Sequence, residues 1–184
     1  MRRSRHQETE TVNKKKILAM DVLIVAALLA LDQFTKYLAI DRLKGNPPYV
    51  LWDGVLELQY LENHGSAFGM LQNQKFFILF VGVFFMLVIL YFLIRLPGTR
   101  RYNRVHLLLS VVIAGGVGNM IDRFRFDYVV DFISFVLIRY PIFNVADIYI
   151  VVGVICLFAL FMFVFQEKDL EFLSFKQKRY REMK

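Results

Sequence analysis

The apolar residues of this chain fall into long blocks rather than into stripes at helical spacing. Four windows stand out: Ile17–Ile40, Phe76–Leu96, Val105–Ile121 and Ile148–Phe165. A bilayer-spanning helix needs about 20 mostly apolar residues, and each block approaches or exceeds that length. The third is the shortest and is rich in small residues (AGGVGN). Between the first two blocks the pattern changes to a period of two. In VLELQYL, Leu56, Leu58 and Tyr60 alternate with Glu57, Gln59 and Leu61, as in a half-buried strand. The preceding run YVLW ends in Asp53–Gly54, a hairpin-type turn pair, and Pro47–Pro48 keeps the entry extended. These elements predict a membrane α-helical protein with four transmembrane helices and a small β-element, over residues 49–61, between helices 1 and 2. Helix 3 is expected to end at Asp122 and Arg123, with an extended stretch over Asp127–Phe135. Pro141 then breaks the chain, and Asn144 is a suitable N-cap for helix 4.

Charge orients this arrangement. The formal net charge of +7 resembles that of a nucleic-acid binder, but its distribution excludes that class. Lys and Arg crowd the N-terminal tail, the turn RLPGTRRYNR over Arg95–Arg104, and the C-terminal tail, all on one side of a four-helix hairpin topology. The positive-inside rule makes that side cytoplasmic, so both termini are expected in the cytoplasm. Gly45–Gln74 and Asp122–Ala146 are then outside. The expected organisation is a basic tail (residues 1–16), a membrane domain (17–166) and a second basic tail (167–184). The domain includes an outer β-element at about 45–74 and a connection at about 122–147. The C-terminal tail suits either an anionic membrane surface or plain solvation. Basic residues before the first block also fit a signal peptide, but the apolar run continues to Ile40 with no clear cleavage site, so a retained helix is expected. The lone Cys156 is read as a small buried apolar residue.

Composition, 57% hydrophobic with mean hydropathy +0.46, makes the polar residues at membrane depth conspicuous. Such groups are costly in hydrocarbon and call for a use. Asp32 and Lys36, four apart, suit an ion pair on one helix face with Lys36 reaching to the interface. Asn119 and Asp122 share a face of helix 3 beside Arg123, as a helix-end network. Asn63 lies in a glycine-bordered turn. Asp131 and Asp147 differ, because neither has a basic residue within four positions and both have apolar, aromatic neighbours. Burial of that kind raises a carboxyl's pKa. Two such acids brought together share a proton, one acting as general base toward water and the other as general acid. Helix-end caps or a proton-relay pair would look the same in sequence. A metal cluster is not expected from His6, His64 and His106, which are scattered. A Ser-His site is not expected either, since Ser110 and Ser134 lack a histidine on the same membrane face.

Five motifs then occur in order: DQFTK (Asp32–Lys36), NHGSAFG (Asn63–Gly69), GGVGNMIDR (Gly115–Arg123), VVDF (Val129–Phe132) and FNVAD (Phe143–Asp147). Together they resemble the bacterial lipoprotein signal peptidases, the signal peptidase II family, over roughly residues 17–166. The resemblance implies a membrane aspartyl endopeptidase. Such an enzyme removes the signal peptide from a diacylglyceryl-modified prolipoprotein, cutting before the lipid-modified cysteine. It implies a catalytic dyad of Asp131 and Asp147, supported by Asn119, Asp122, Arg123, Asn144 and Ala146. Asp32, Lys36, Asn63 and Gly65 would line the site or fix its walls. It also implies an extracytoplasmic β-cradle, the bacterial cytoplasmic (inner) membrane, membrane lipid around a monomer, inhibition by globomycin, and no metal or other cofactor. Asp122 competes with Asp131 for the first acid. Asp122 adjoins Arg123, which would hold it ionised, so Asp131 is preferred. Phe68 and the aromatics near Asp131 are expected to cover the site, and His64 to be incidental. A proton-coupled transporter or a non-catalytic scaffold would use the same acids differently. Four helices without an inverted repeat speak against transport.

Overall fold

The structure is a computed structural model that describes residues 13–65, 74–166 and 169–170. Its elements in chain order are α1 (Lys14–Leu43), β1 (Tyr49–Trp52), β2 (Leu56–Asn63), α2 (Lys75–Arg95), α3 (Asn103–Phe126), β3 (Val129–Phe135) and α4 (Val145–Phe163). A short 3-10 turn, Arg100–Tyr102, leads into α3. Among the described residues, four helices are long and apolar enough to cross a bilayer, as the four blocks predict. Phe68, expected over the site, and most of both charged tails lie outside the described residues.

Helix α3 is the centre of the bundle. More than half of its apolar window (56%) is buried, against 11–17% for the other three, whose apolar surfaces face outward. That outward surface includes Cys156. It is exposed on α4, so the expectation of a buried cysteine is corrected. In a membrane helix an apolar side chain gains nothing by turning inward, because lipid tails are as apolar as the core. Small residues let α3 approach its neighbours. A Cβ on Gly115 would run into the Ala146 carbonyl and Ile150 of α4, and one on Gly118 would strike the Asp32 carboxylate of α1. Gly118→Ala is therefore expected to lower stability by about 1–3 kcal/mol, the usual cost of overpacking, as read by thermal unfolding in detergent.

A polar clasp joins α1 and α3 near their N-terminal ends. His106 Nδ1 lies 2.8 Å from Asp21 Oδ2, and both residues are buried. His106 is one turn before Ser110 on the same face of α3. Yet His106 Nε2 and Ser110 Oγ are not bonded to one another, and no Ser-His site is assembled. Removing one member of a buried hydrogen-bonded pair costs about 1–3 kcal/mol, because the other is left unsatisfied. His106→Ala is expected to destabilise by that order, and Asp21→Ala/His106→Ala by less than the two single changes summed.

The β-element is larger than expected. It is a three-stranded antiparallel sheet in the order β1-β2-β3, so the connection between α3 and α4 supplies its third strand. The β1–β2 turn holds Gly54 at φ 67°, a conformation glycine adopts without strain. The β2–β3 register places Leu61 opposite Asp131 and Asn63 opposite Val129. Val130 and Phe132 pack with Ala39, Ile40 and Leu43 of α1, which seats the sheet on the end of that helix.

The end of α3 differs from the expected one. α3 runs a further turn, to Phe126, before Asp127 caps it at φ 68° and donates its amide to the Arg123 carbonyl (3.2 Å). No glycine or proline interrupts Asp122–Phe126, so the helix continues until an aspartate takes the left-handed conformation. α4 begins at Val145, directly after the expected Asn144 cap. A reciprocal capping box holds it: Asp147 N donates to Asn144 Oδ1 (3.0 Å) and Asn144 N donates to Asp147 Oδ2 (3.1 Å).

Candidate active site

The C-terminal ends of α1, β2 and α3, the middle of β3 and the first turn of α4 converge at one end of the bundle. Nearly every polar residue singled out in the sequence meets there. One half of the cluster is ionic. Lys36 Nζ lies 3.1 Å from Asp32 Oδ2, 3.0 Å from Asp122 Oδ2 and 2.9 Å from Asn119 Oδ1. Those three contacts occupy the three N–H bonds of an ammonium. Lys36 is buried, at 2% exposure, so it does not reach to the interface as expected. Its two carboxylates hold it inward, and a lone lysine without them would reach for water. The remaining acceptor capacity of the two acids is also used. Ala146 N donates to Asp32 Oδ1 (3.0 Å), and Val130 N donates to Asp122 Oδ2 (3.1 Å). The amide of Gln33 donates to Asp32 Oδ2 and to Asp122 Oδ1, 3.1 Å each.

The cation of Asp122 is thus Lys36, not its sequence neighbour. Arg123 turns away and donates to two carbonyls, that of Asn119 (3.3 Å) and that of Gly65 (3.1 Å). Successive helix residues point about 100° apart, which is why adjacency in sequence misleads here. Sequence reasoning missed Gln33, although it lies inside DQFTK, because a glutamine beside an acid carries no signal of its own. It also missed Asp21, the acid of the clasp, because its partner is on another helix.

The other half of the cluster is built from amides and the two remaining acids. Asp131 is buried in β3. Its Oδ1 accepts from Asn144 Nδ2 (2.6 Å) and its Oδ2 from Asn63 Nδ2 (2.8 Å). Asn63 Oδ1 accepts from Gly65 N (3.0 Å), so Asn63 is both the expected turn residue and a ligand of Asp131. Asp147 is half-buried. Its Oδ1 accepts from Asn119 Nδ2 (2.8 Å), and its Oδ2 is the capping-box acceptor for Asn144 N. Asn144 therefore touches both acids, through its side-chain amide to one and its backbone N–H to the other. Lys36 and Asn144 both donate to Asn119 Oδ1, which turns the Asn119 NH₂ toward Asp147. His64 lies beside this cluster, exposed, with its ring edge-on to Tyr128 at 5.3 Å.

The two groups of acids differ chemically. Asp32 and Asp122 share a cation. Asp131 has neutral amides instead, and its carboxyl is pushed up to about 7. Burial is the largest cause and the charge of Asp147 the second. The bonds from Asn63 and Asn144, and the more distant Lys36, pull the other way without cancelling the rise. A carboxyl that titrates near neutrality beside a second carboxylate is suited to proton transfer.

A family model described as signal peptidase (SPase) II matches residues 24–163. The chain belongs to the signal peptidase II family. It is 45% identical over 144 residues to the lipoprotein signal peptidase of Caldanaerobacter subterraneus subsp. tengcongensis, covering 78% of this chain and 97% of that one. It is 44% identical over 132 residues to the lipoprotein signal peptidase of Brevibacillus brevis, covering 72% and 87%. A solved structure described as a bacterial membrane enzyme superposes with a TM-score of 0.71 at 29% identity, over 81% of this chain and 93% of that one. The family and the four spans make the protein a multi-pass membrane peptidase.

Proposed function

We propose that this protein is an aspartyl endopeptidase of the cytoplasmic membrane. It removes the signal peptide from diacylglyceryl-modified prolipoproteins, cutting before the modified cysteine. Asp131 and Asp147 are its catalytic pair. The observation that carries this reading is the Asn144 bridge between two acids, one of which, Asp131, is shifted toward neutrality by burial and by the other. Asp122, the competing acid, is committed to Lys36, Gln33 and Val130 N and is read as a wall of the site.

The reaction begins with Asp147 ionised and Asp131 protonated. A water held between them gives a proton to Asp147 as its oxygen attacks the scissile carbonyl. Asp131 donates to the carbonyl oxygen, so the tetrahedral intermediate forms uncharged. Collapse passes the proton from Asp147 to the leaving amine of the cysteine, and the carbonyl re-forms as its proton returns to Asp131. Asn63, Asn119 and Asn144 hold the carboxyls in place, and the site needs no cofactor. The crowding of Lys and Arg at the opposite end supports, by the positive-inside rule, a reading with both termini in the cytoplasm and the acids at the outer face. There a lipidated substrate arrives by lateral diffusion. In this reading residues 17–166 are the peptidase domain, residues 1–16 and 167–184 are cytoplasmic tails, and the protein acts as a monomer.

The test is cleavage of a diacylglyceryl-modified prolipoprotein and of its unmodified precursor by the purified full-length protein. Cleavage of the modified form alone, blocked by globomycin, is expected. Equal cleavage of both forms would refute lipid recognition. The rate should also fall on the alkaline side. Asp131 must carry its proton, and it loses that proton as pH rises through about 7. Since its folded pKa lies above the unfolded value of 3.8, the stability its protonated form contributes is fully present below 3.8, falls as pH rises, and is lost once pH passes about 7.

A further inference from the structure

The end of the bundle opposite the acids carries exposed Lys14, Lys15 and Lys16 from α1, exposed Arg100 and Arg101 from the connector before α3, and exposed Arg104 from the first turn of α3. Lys14 Nζ donates to the Ile94 carbonyl (2.7 Å), which ties the start of α1 to the end of α2. Outside the helices, the acid among the described residues of this end is Asp169. Arg101 holds it with two bonds of 2.6 Å, from Nε to Oδ1 and from Nη2 to Oδ2. Tyr102 Oη donates to the Asp169 carbonyl (2.7 Å), and the Arg101 guanidinium lies 5.3 Å from the Phe165 ring centroid. This strap lies beyond residue 163, where the family match stops. It neutralises the local acid and ties Asp169 to the connector. Apolar side chains border the same surface, with Phe163 83% and Leu170 37% exposed.

We propose that this surface binds anionic phospholipid headgroups. A ligand with a phosphodiester head and apolar tails matches both the cations and the apolar border. A soluble anion matches only the first. The inference goes beyond the peptidase reading and does not depend on it.

Each basic residue near an anionic membrane surface strengthens binding by about fivefold. The test places the full-length protein in nanodiscs and measures association of spin-labelled phosphatidylglycerol and phosphatidylcholine. Preference for phosphatidylglycerol by about fivefold or more is expected, fading in about 1 M salt, where the screening length is about 3 Å. K15Q/K16Q/R100Q/R104Q should bring the ratio close to one, while R100K/R104K keeps it and shows that the connector still folds. Soluble glycerol phosphate should not displace the labelled lipid. Equal association of the two lipids, full preference in the quadruple variant, loss of it in R100K/R104K, or displacement by glycerol phosphate would each overturn the proposal.

Discussion

Asp131→Asn and Asp147→Asn are each expected to reduce cleavage of a lipidated prolipoprotein by roughly 10³–10⁴-fold, the upper part of the range for general acid–base catalysis. Both variants should still insert and fold. Asparagine is isosteric with aspartate, and at position 147 its oxygen can still accept from Asn144 N or Asn119 Nδ2. At position 131 the substitution removes a charge that burial already disfavours, so thermal stability near neutral pH should not fall much. The combined variant should lose little beyond either single change, because two groups acting in one step are not additive. Asp122→Asn gives the contrast. It leaves Lys36 with one carboxylate fewer, so its first effect should be on stability rather than on turnover of the folded fraction.

Lys36→Met is expected to have the largest effect on stability, about 3–5 kcal/mol, the cost of stranding buried charge. Asp32 and Asp122 would face one another through Gln33 with no cation between them. The same change frees Asn119 Oδ1 from its ammonium, so the amide that donates to Asp147 loses one of the two donors that orient it. Activity should therefore fall even in molecules that remain folded. Lys36→Met/Asp122→Asn should recover part of the stability, since one unpaired charge is removed with its partner. Thermal unfolding in detergent reads the first effect, and cleavage per folded molecule reads the second.

How far the sequence reaches depends on the range of each interaction. The four spans were legible because twenty apolar residues are their own signal. The Asn144 cap, the strand 56–61 and the Asp53–Gly54 turn were legible because they are local. What was not legible joins distant segments. β3 could be read as extended, but not as the strand that pairs with β2 and brings Asp131 against Asn63. The Asp32–Lys36 pair followed from a spacing of four, whereas the Asp122–Lys36 pair crosses from α3 to α1. Asn144 could be read as a cap for α4, but not as the donor to Asp131. Lys36 and Cys156 misled for a related reason. Habits learned from water put lysine outside and cysteine inside, and a helix bundle in lipid reverses both.

In the proposed mechanism Asp131 and Asp147 act as one coupled pair. That coupling is tested most directly by titrating the Asp131 carboxyl, through a ¹³C label on the aspartates, in the wild type and in Asp147→Asn. The assignment comes from the signal lost in Asp131→Asn. A midpoint of about 7 is expected in the wild type and a lower one in Asp147→Asn, where the neighbouring charge is gone. A midpoint in the ordinary carboxylate range, or one that Asp147→Asn leaves in place, would contradict the coupling.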